Sequence, residues 1–301
     1  MQKKILITGS SGLIGSYLGK YLSENENQIF RLRRIKKNIG EHTILWEPVA
    51  GLIDPKRLEN FNVIIHLAGE NISAHRWSNQ QKMKIKNSRV RSTRILTQTL
   101  ISLKTPPDLL ITASAVGYYG NRDSELLDEG SGAGHLFLSE VCEEWERVTR
   151  PAAEAGIRVV NLRFGMILSK KGGALPRLLQ LFNVGLGGVI GSGRQYVSWI
   201  TLEDVASAVI HIINTTDISG AVNMVTPHPV TNRELTKILG RIIRRPTIMR
   251  VPALALKIIY GQMAKELLLS SSRVYPEKLI DTGYRFKHPT LESALIFLFE
   301  H

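Results

Sequence analysis

The 301-residue sequence has a single cysteine, Cys142. An intramolecular disulfide is excluded, which fits a reducing compartment. Carboxylates are few: 26 Asp and Glu stand against 39 Lys and Arg, a formal net charge of +13. Aromatic residues make up 7%, and none falls in the densest basic stretches, Arg31 to Lys37 and Lys82 to Arg94. A single-strand nucleic-acid binder would interleave aromatics with its cations. No recognition helix, zinc finger or RNA-platform motif occurs either. No apolar run reaches the roughly 18 residues of a membrane span. The first strand-like run opens at Lys3, so no signal or transit peptide is expected ahead of it. Asp123, Glu125, Asp128 and Glu129 share one glycine-bearing loop without metal-ligand spacing, and read as a solvated loop. These absences describe a cytoplasmic protein without a metal, expected to have neither a nucleic-acid nor a membrane partner. The excess positive charge leaves three ligand classes to weigh: nucleic acid, acidic lipid or a phosphorylated small molecule. Ordinary solvated basic surface is the plain alternative.

What is present is a globular composition, 43% hydrophobic and 22% charged, long enough for more than one minimal domain and short of three. The chain is organised around its first turn. The apolar run Ile5-Leu6-Ile7 leads into Thr8-Gly9-Ser10-Ser11-Gly12-Leu13-Ile14-Gly15. A helix follows with Leu13, Ile14, Tyr17, Leu18, Tyr21 and Leu22 on one face. Strand, glycine turn and helix are the context of a phosphate-binding loop. Gly9 permits the tight turn, Gly12 lets backbone approach a pyrophosphate, and Gly15 lets the helix pack close to the strand. Free N–H groups at the helix start favour phosphate. Gly9, Ser11, Gly12, Leu13, Ile14 and Gly15 are therefore cofactor-binding candidates. The spacing G-x-x-G-x-x-G points to the short-chain dehydrogenase type of nucleotide fold.

The second strand, Gln28 to Arg34, ends where a dinucleotide fold keeps the carboxylate that bonds the adenosine ribose. Arg33 and Arg34 stand there instead. A guanidinium matches a 2′-phosphate in shape and charge, so NADP is favoured over NAD; the alternative is a solvated charge run. Thr43–Glu47 reads as a short strand. Asn62–Gly69 reads as a strand buried on both faces, ending in Ala68-Gly69 where a nucleotide could lie against backbone. His66 reads as a strand histidine. Ser78–Leu103 reads as a long basic helix closed by Pro106-Pro107. Leu109–Ser114 is a strand, Leu136–Ala155 a helix and Ile157–Arg163 a strand. This alternation implies a parallel sheet with helices on both faces. After Arg163 the rhythm breaks into glycine-rich loops and amphipathic segments. The expected fold is thus α/β, a doubly wound parallel sheet over residues 1–165, with a smaller substrate-side lobe over 166–301 and some later segments returning to the sheet.

Many short pieces then carry a resemblance over nearly the whole chain. They include Thr8–Gly15, Leu67-Ala68-Gly69-Glu70-Asn71-Ile72, Arg76-Trp77, Ser88-Arg89, Ala115–Gly120, Trp145-Glu146 and Leu162–Leu168. They continue through Gly191–Gln195, Ser198-Trp199-Ile200, Asp204, Asn223–Pro227, Arg245-Pro246, Val251-Pro252 and Arg273–Leu279. The sequence resembles the extended and atypical short-chain dehydrogenase/reductase superfamily, in the epimerase-family branch typified by the bacterial YfcH-like proteins. That resemblance implies a Rossmann-like domain binding NADP, and a C-terminal domain of undefined function from about residue 249. It implies that Leu67 and Ala68, with Gly69 beside them, line the adenosine side. It implies that Lys84 and Arg89 reach cofactor phosphate or ribose, and that Arg163 borders the cofactor cleft.

One departure stands out. The superfamily's hydride chemistry uses a Tyr-x-x-x-Lys helix motif, in which the lysine lowers the tyrosine pKa and the tyrosine exchanges a proton with the substrate oxygen. The equivalent stretch here, His135–Val141, has neither residue at usable spacing. Tyr118 and Tyr119 lie beyond the preceding strand, either as replacement proton donors or as pocket wall. Ser114 stands near the superfamily's serine position, unless an offset of one residue puts Ala115 there. The expected activity is NADP-dependent oxidoreduction or epimerisation of a small polar substrate. The rivals are a non-catalytic NADPH-binding regulator or interaction protein and, with less support, a nucleic-acid binder using the basic helix.

Overall fold

The computed structural model describes residues 2–34, 40–48 and 50–300; Lys36 and Lys37 of the first basic stretch lie outside the described residues. Among these residues the main sheet has eight strands: β1 (Lys4–Thr8), β2 (Gln28–Arg33), β3 (Thr43–Glu47), β4 (Leu52–Ile53), β5 (Val63–His66), β6 (Leu109–Ala115), β7 (Arg158–Phe164) and β8 (Gly220–Met224). Their spatial order is β8-β7-β6-β5-β1-β2-β3-β4. All neighbours run parallel except the antiparallel pair β3–β4. The chain builds outward from β1 through β2 and β3, then returns to β1's other side and builds outward again through β5, β6 and β7. The order therefore reverses between β1 and β5, the place where ligands bind in open α/β sheets.

The helices are α1 (Leu13–Glu24), α2 (Asn79–Ile101), α3 (Phe137–Arg147), α4 (Arg150–Glu154), α5 (Leu175–Asn183), α6 (Leu202–Asn214), α7 (Asn232–Ile242), α8 (Ala253–Tyr260), α9 (Gln262–Leu267), α10 (Glu277–Asp281) and α11 (Leu291–Glu300). Strand residues alternate in direction, so one strand feeds two cores. Ile5 and Ile7 pack with Leu18 and Leu22 of α1 and Val209 and Ile212 of α6. Leu6, Ile64 and Leu110 pack with Leu96 and Leu100 of α2 and Ala152 of α4. The near-continuous apolar strands are explained by this burial on both faces.

Two element boundaries differ from the sequence reading for identifiable reasons. The helix expected over Leu136–Ala155 is interrupted at Val148 and Thr149. Pro151 has no N–H and its ring opposes a continuing helix, so it restarts the helix within its own first turn. The long basic helix begins at Asn79 because Ser78 caps it, accepting from the Gln81 N–H at 3.2 Å.

The second half of the chain is tied back to the sheet. β8 forms its edge beside β7, and α6 packs beside α1. A further core joins α5, α7 and α11 around the fully buried Trp199. Asp204, also fully buried, accepts from Tyr284 Oη and from the Lys287 and His288 N–H groups. That anchors the C-terminal segment to α6.

Candidate functional site

The glycine loop sits at the topological reversal. Thr8 pairs in register with Leu32 of β2 and His66 of β5. Gly9 follows with φ +65°, and a Cβ on it would meet the Leu67 carbonyl and the Ala68 nitrogen at 2.8–2.9 Å. A Cβ on Gly15 would come within 2.4 Å of the Gly9 oxygen. These two positions exclude side chains by close approach. Gly12 differs: it has φ −77°, and its Cβ would meet only the Gly9 oxygen, at 3.3 Å. Gly12 is the N-cap of α1, yet no side chain caps this helix and no acid lies in its first turn. By contrast, Ser78, Thr201 and Thr231 cap α2, α6 and α7. The uncapped N–H groups and the dipole at Leu13 and Ile14 suit a phosphate group. Ser11 is exposed at the loop's tip, and Gly172 and Gly173 pack against the Leu13 side chain.

Beneath the loop a buried histidine fixes its geometry. Thr8 Oγ1 accepts from the Leu67 and Ala68 N–H groups at 3.1 and 3.2 Å and lies 2.7 Å from His66 Nδ1. With both backbone donors pointing at it, the threonine hydroxyl donates to Nδ1. The proton therefore sits on Nε2, which faces Ser92 Oγ at 3.5 Å. Burial lowers the His66 pKa to about 4, so the ring is neutral. It is a spacer between β1 and β5, as a strand histidine should be.

Arg33 is half-buried and Arg34 exposed, and both follow Leu32, the partner of Thr8. Arg33 ends the strand next to Gly9, and Arg34 follows it. Leu67, Ala68 and Gly69 leave the end of β5 on the loop's other side. Arg89 lies behind them. Its guanidinium donates to the Glu70 carbonyl at 2.9 Å and to the Ile85 carbonyl at 3.1 Å, and stacks over Trp145. A Cβ on Gly69 would meet it at 3.3 Å. Arg89 thus braces the turn after β5 from below. Lys84 is exposed on α2 and is not drawn into this cluster.

The candidates after β6 fall into two groups. Ser114 and Tyr119 are buried in one polar network with Arg163 and Glu146. Ser114 Oγ donates to Glu146 Oε1 at 2.6 Å. Arg163 holds both Glu146 oxygens, at 2.9 and 2.8 Å, and donates to Tyr119 Oη at 2.9 Å. Tyr119 Oη lies 2.7 Å from Asn223 Oδ1 and 2.8 Å from the Asp128 carbonyl. Burial pushes the Tyr119 phenol up to about 12, in spite of the opposing Arg163 charge. Burial also opposes the Arg163 charge, but hydrogen bonds and charge from Glu146 hold its pKa above the ordinary value. Arg163, only 4% exposed, supports the site from inside and does not line open space. Tyr118 is the exception. It is half-buried, its ring covers the Arg163 guanidinium at 3.5 Å, and its hydroxyl has no hydrogen bond among the described residues.

On α3, Leu138 and Cys142 are buried one turn apart against this region, with no tyrosine or lysine on the helix. Burial raises the Cys142 thiol to about 11, so it is no nucleophile at neutral pH. The α3 N-terminus is capped from far away, since Glu266 accepts from the Phe137 and Leu138 N–H groups. Other C-terminal residues hold the turn carrying Tyr118: Ser272 Oγ donates to the Gly120 carbonyl at 2.8 Å, and Arg273-Val274 pairs with Leu126-Leu127. Glu146, Asn223 and Glu266 had no role in the sequence reading. Trp145-Glu146 and Asn223 occur among the resemblance pieces, but their partners are distant in sequence.

The family and the fold have counterparts among known proteins. Residues 5–224 match the NAD dependent epimerase/dehydratase family, and residues 251–298 match a domain of unknown function. The epimerase family protein Mb2239 of Mycobacterium bovis is 42% identical over 97% of this chain and 96% of its own. The chloroplastic epimerase family protein SDR39U1 homolog of Arabidopsis thaliana is 33% identical over 98% of this chain and 86% of its own. The crystal structure of human epimerase family protein SDR39U1, solved with NADPH, superposes with a TM-score of 0.90 at 28% identity and covers 99% of both chains.

Proposed function

The chain belongs to the NAD dependent epimerase/dehydratase family, and from that premise we propose that it binds NADP and performs oxidoreduction or epimerisation on a small polar substrate, with Tyr118 as the proton donor. One observation carries the cofactor choice. Two arginines, and no carboxylate, follow the β2 residue that pairs with Thr8. Arg33 and Arg34 would hold the 2′-phosphate as charge-assisted partners. The uncapped N-terminus of α1 would hold the pyrophosphate, and Leu67, Ala68 and Gly69 would face the adenosine. The NADPH in the human relative's structure supports the same choice.

When bound, the nicotinamide supplies or accepts a hydride. The protein's own task is to exchange a proton with the substrate oxygen, and such help typically contributes 10²–10⁴-fold. Ser114 and Tyr119 are committed to Glu146, Asn223 and Arg163. Tyr118 is the one candidate of the three with an uncommitted hydroxyl. Its ring rests on a guanidinium held in place by Glu146.

The second reading, a non-catalytic NADPH-binding protein, is favoured by the absence of tyrosine and lysine from α3. Stopped-flow NADPH oxidation against a library of carbonyl and nucleotide-sugar compounds separates the two. Turnover that depends on Tyr118 supports the enzyme; tight cofactor binding with no turnover supports the regulator.

A further inference from the structure

The C-terminal domain carries a helix whose outward face is apolar. In α8 only Leu256 is buried. Leu254 is 68% exposed and Ile258, one turn later, 66%, with Ile259 beside them at 58%. Just before α8, Ile248 is 86% exposed. The segment Met249–Val251 pairs with Gly188–Ile190, which brings the exposed Leu186 to the same edge. An apolar surface of this kind calls for a partner.

The charges of this stretch of sequence are almost all positive, with Arg241 paired to Glu292. Between Glu234 and Glu266 there is no Asp or Glu, while seven Lys and Arg occur. The two bounding carboxylates both have partners in the protein: the exposed Glu234 in the capping box of α7, and the buried Glu266 on the N-terminus of α3. The segment carrying Leu186 is equally bare, with no Asp or Glu between Glu154 and Glu203. Lys257 lies on α8 itself, and Arg250 and Lys265 flank it, all exposed. Arg76 approaches the end of α8, its guanidinium 3.6 Å from where a Gly261 Cβ would stand, and Lys82 bonds Gln262. Exposed aliphatic side chains with Lys257 on the same helix, and Arg250 and Lys265 close to it in sequence, complement a negatively charged lipid surface. The aliphatic groups enter the acyl boundary while the cations meet headgroup phosphates. A second copy of the chain would instead set these cations against their own copies, a repulsive arrangement.

We propose that the α8 face, with Ile248 and Leu186 at its edge, docks the protein peripherally on anionic membranes. The absence of a long apolar run excludes a spanning helix but not this one, because an interfacial helix lies on the bilayer.

The test uses the full chain with two vesicle populations, phosphatidylcholine alone and phosphatidylcholine with about one third phosphatidylglycerol, read by co-sedimentation. The protein should partition onto the anionic vesicles at least about tenfold more strongly than onto neutral ones. Leu254→Asp with Ile258→Asp should reduce that partitioning at least about tenfold. These positions are exposed, so circular dichroism and NADPH affinity should be unchanged. Lys257→Glu with Arg250→Glu should also weaken it, whereas Arg94→Glu on α2 should not. Failure to bind anionic vesicles would overturn the proposal. So would binding that is unaffected by the two aspartates, since a merely basic protein would behave that way. Concentration-dependent dimerisation abolished by the same aspartates would assign the face to a second copy and overturn it too.

Discussion

The guanidinium of Arg163 lies 3.5 Å from the centre of the Tyr118 ring and 2.9 Å from the hydroxyl of Tyr119. One cation thus supports two neighbouring tyrosines in different ways, through the ring face of the first and the oxygen of the second. Glu146 orients it through both of its nitrogens not engaged by Tyr119. The difference between the tyrosines is the basis for separating chemistry from structure here.

Tyr118→Phe keeps the ring on Arg163 and removes only a hydroxyl that has no hydrogen bond among the described residues. Turnover should fall about 10²–10⁴-fold, with thermal stability and NADPH affinity unchanged. Tyr119→Phe should do the reverse. It leaves Asn223 Oδ1 and an Arg163 N–H unpaired in a buried site, a loss of about 1–3 kcal/mol. Urea unfolding and stopped-flow kinetics on the two variants read both quantities. Equal kinetic losses in the two would contradict the assignment.

Gly12 offers a clean block of the phosphate site. Its φ of −77° is ordinary for any L-residue, and its Cβ would meet only the Gly9 oxygen at 3.3 Å. Gly12→Val should therefore fold, with a melting temperature near that of the parent, while its branched side chain obstructs the start of α1. NADPH affinity should fall more than about tenfold by calorimetry. Gly15→Val is the contrasting case: its Cβ would overlap backbone at 2.4 Å, so the loss should appear in stability as well.

His66 makes a pH prediction of defined sign. Folded, its pKa is about 4 because it is buried; unfolded, it returns to the ordinary 6.5. Above 6.5 the ring is neutral in both states and contributes no pH dependence. Between 6.5 and 4 the unfolded chain takes up a proton that the folded chain refuses, so stability falls as pH drops. The interval corresponds to roughly 3 kcal/mol. Urea unfolding across this range, compared with His66→Gln, should show a shallower pH slope in the variant. Identical slopes would mean that His66 is not held neutral.

Local order explains what could be read in the sequence. Thr8–Gly15 is contiguous, and its apolar strand and periodic helix lie on either side, so the strand, glycine loop and helix were legible together. Strand alternation with helices likewise announced the parallel sheet. The edge strand Gly220–Met224 was foreseen only as some later segment returning to the sheet. The break at Val148–Thr149 was visible in principle, because Pro151 stood inside the expected helix. The support of the site was not visible. Asn223 meets Tyr119 across 104 positions and Glu266 caps α3 across 128. Such partners are set by tertiary packing, and no local period or spacing encodes them. The same packing buries Tyr119 and leaves Tyr118 half-buried, a difference the sequence did not carry.

The proposed preference for NADP rests on Arg33 and Arg34. Two charge-assisted contacts to a phosphate are worth about 1.5–3 kcal/mol each, or about tenfold or more in affinity apiece. The most direct measurement is calorimetric titration of the protein with NADPH and with NADH, repeated on Arg33→Ala with Arg34→Ala. NADPH should bind at least about tenfold tighter, and the double variant should erase most of that gap while leaving NADH affinity unchanged. Equal affinities for the two cofactors in the parent protein would contradict the account.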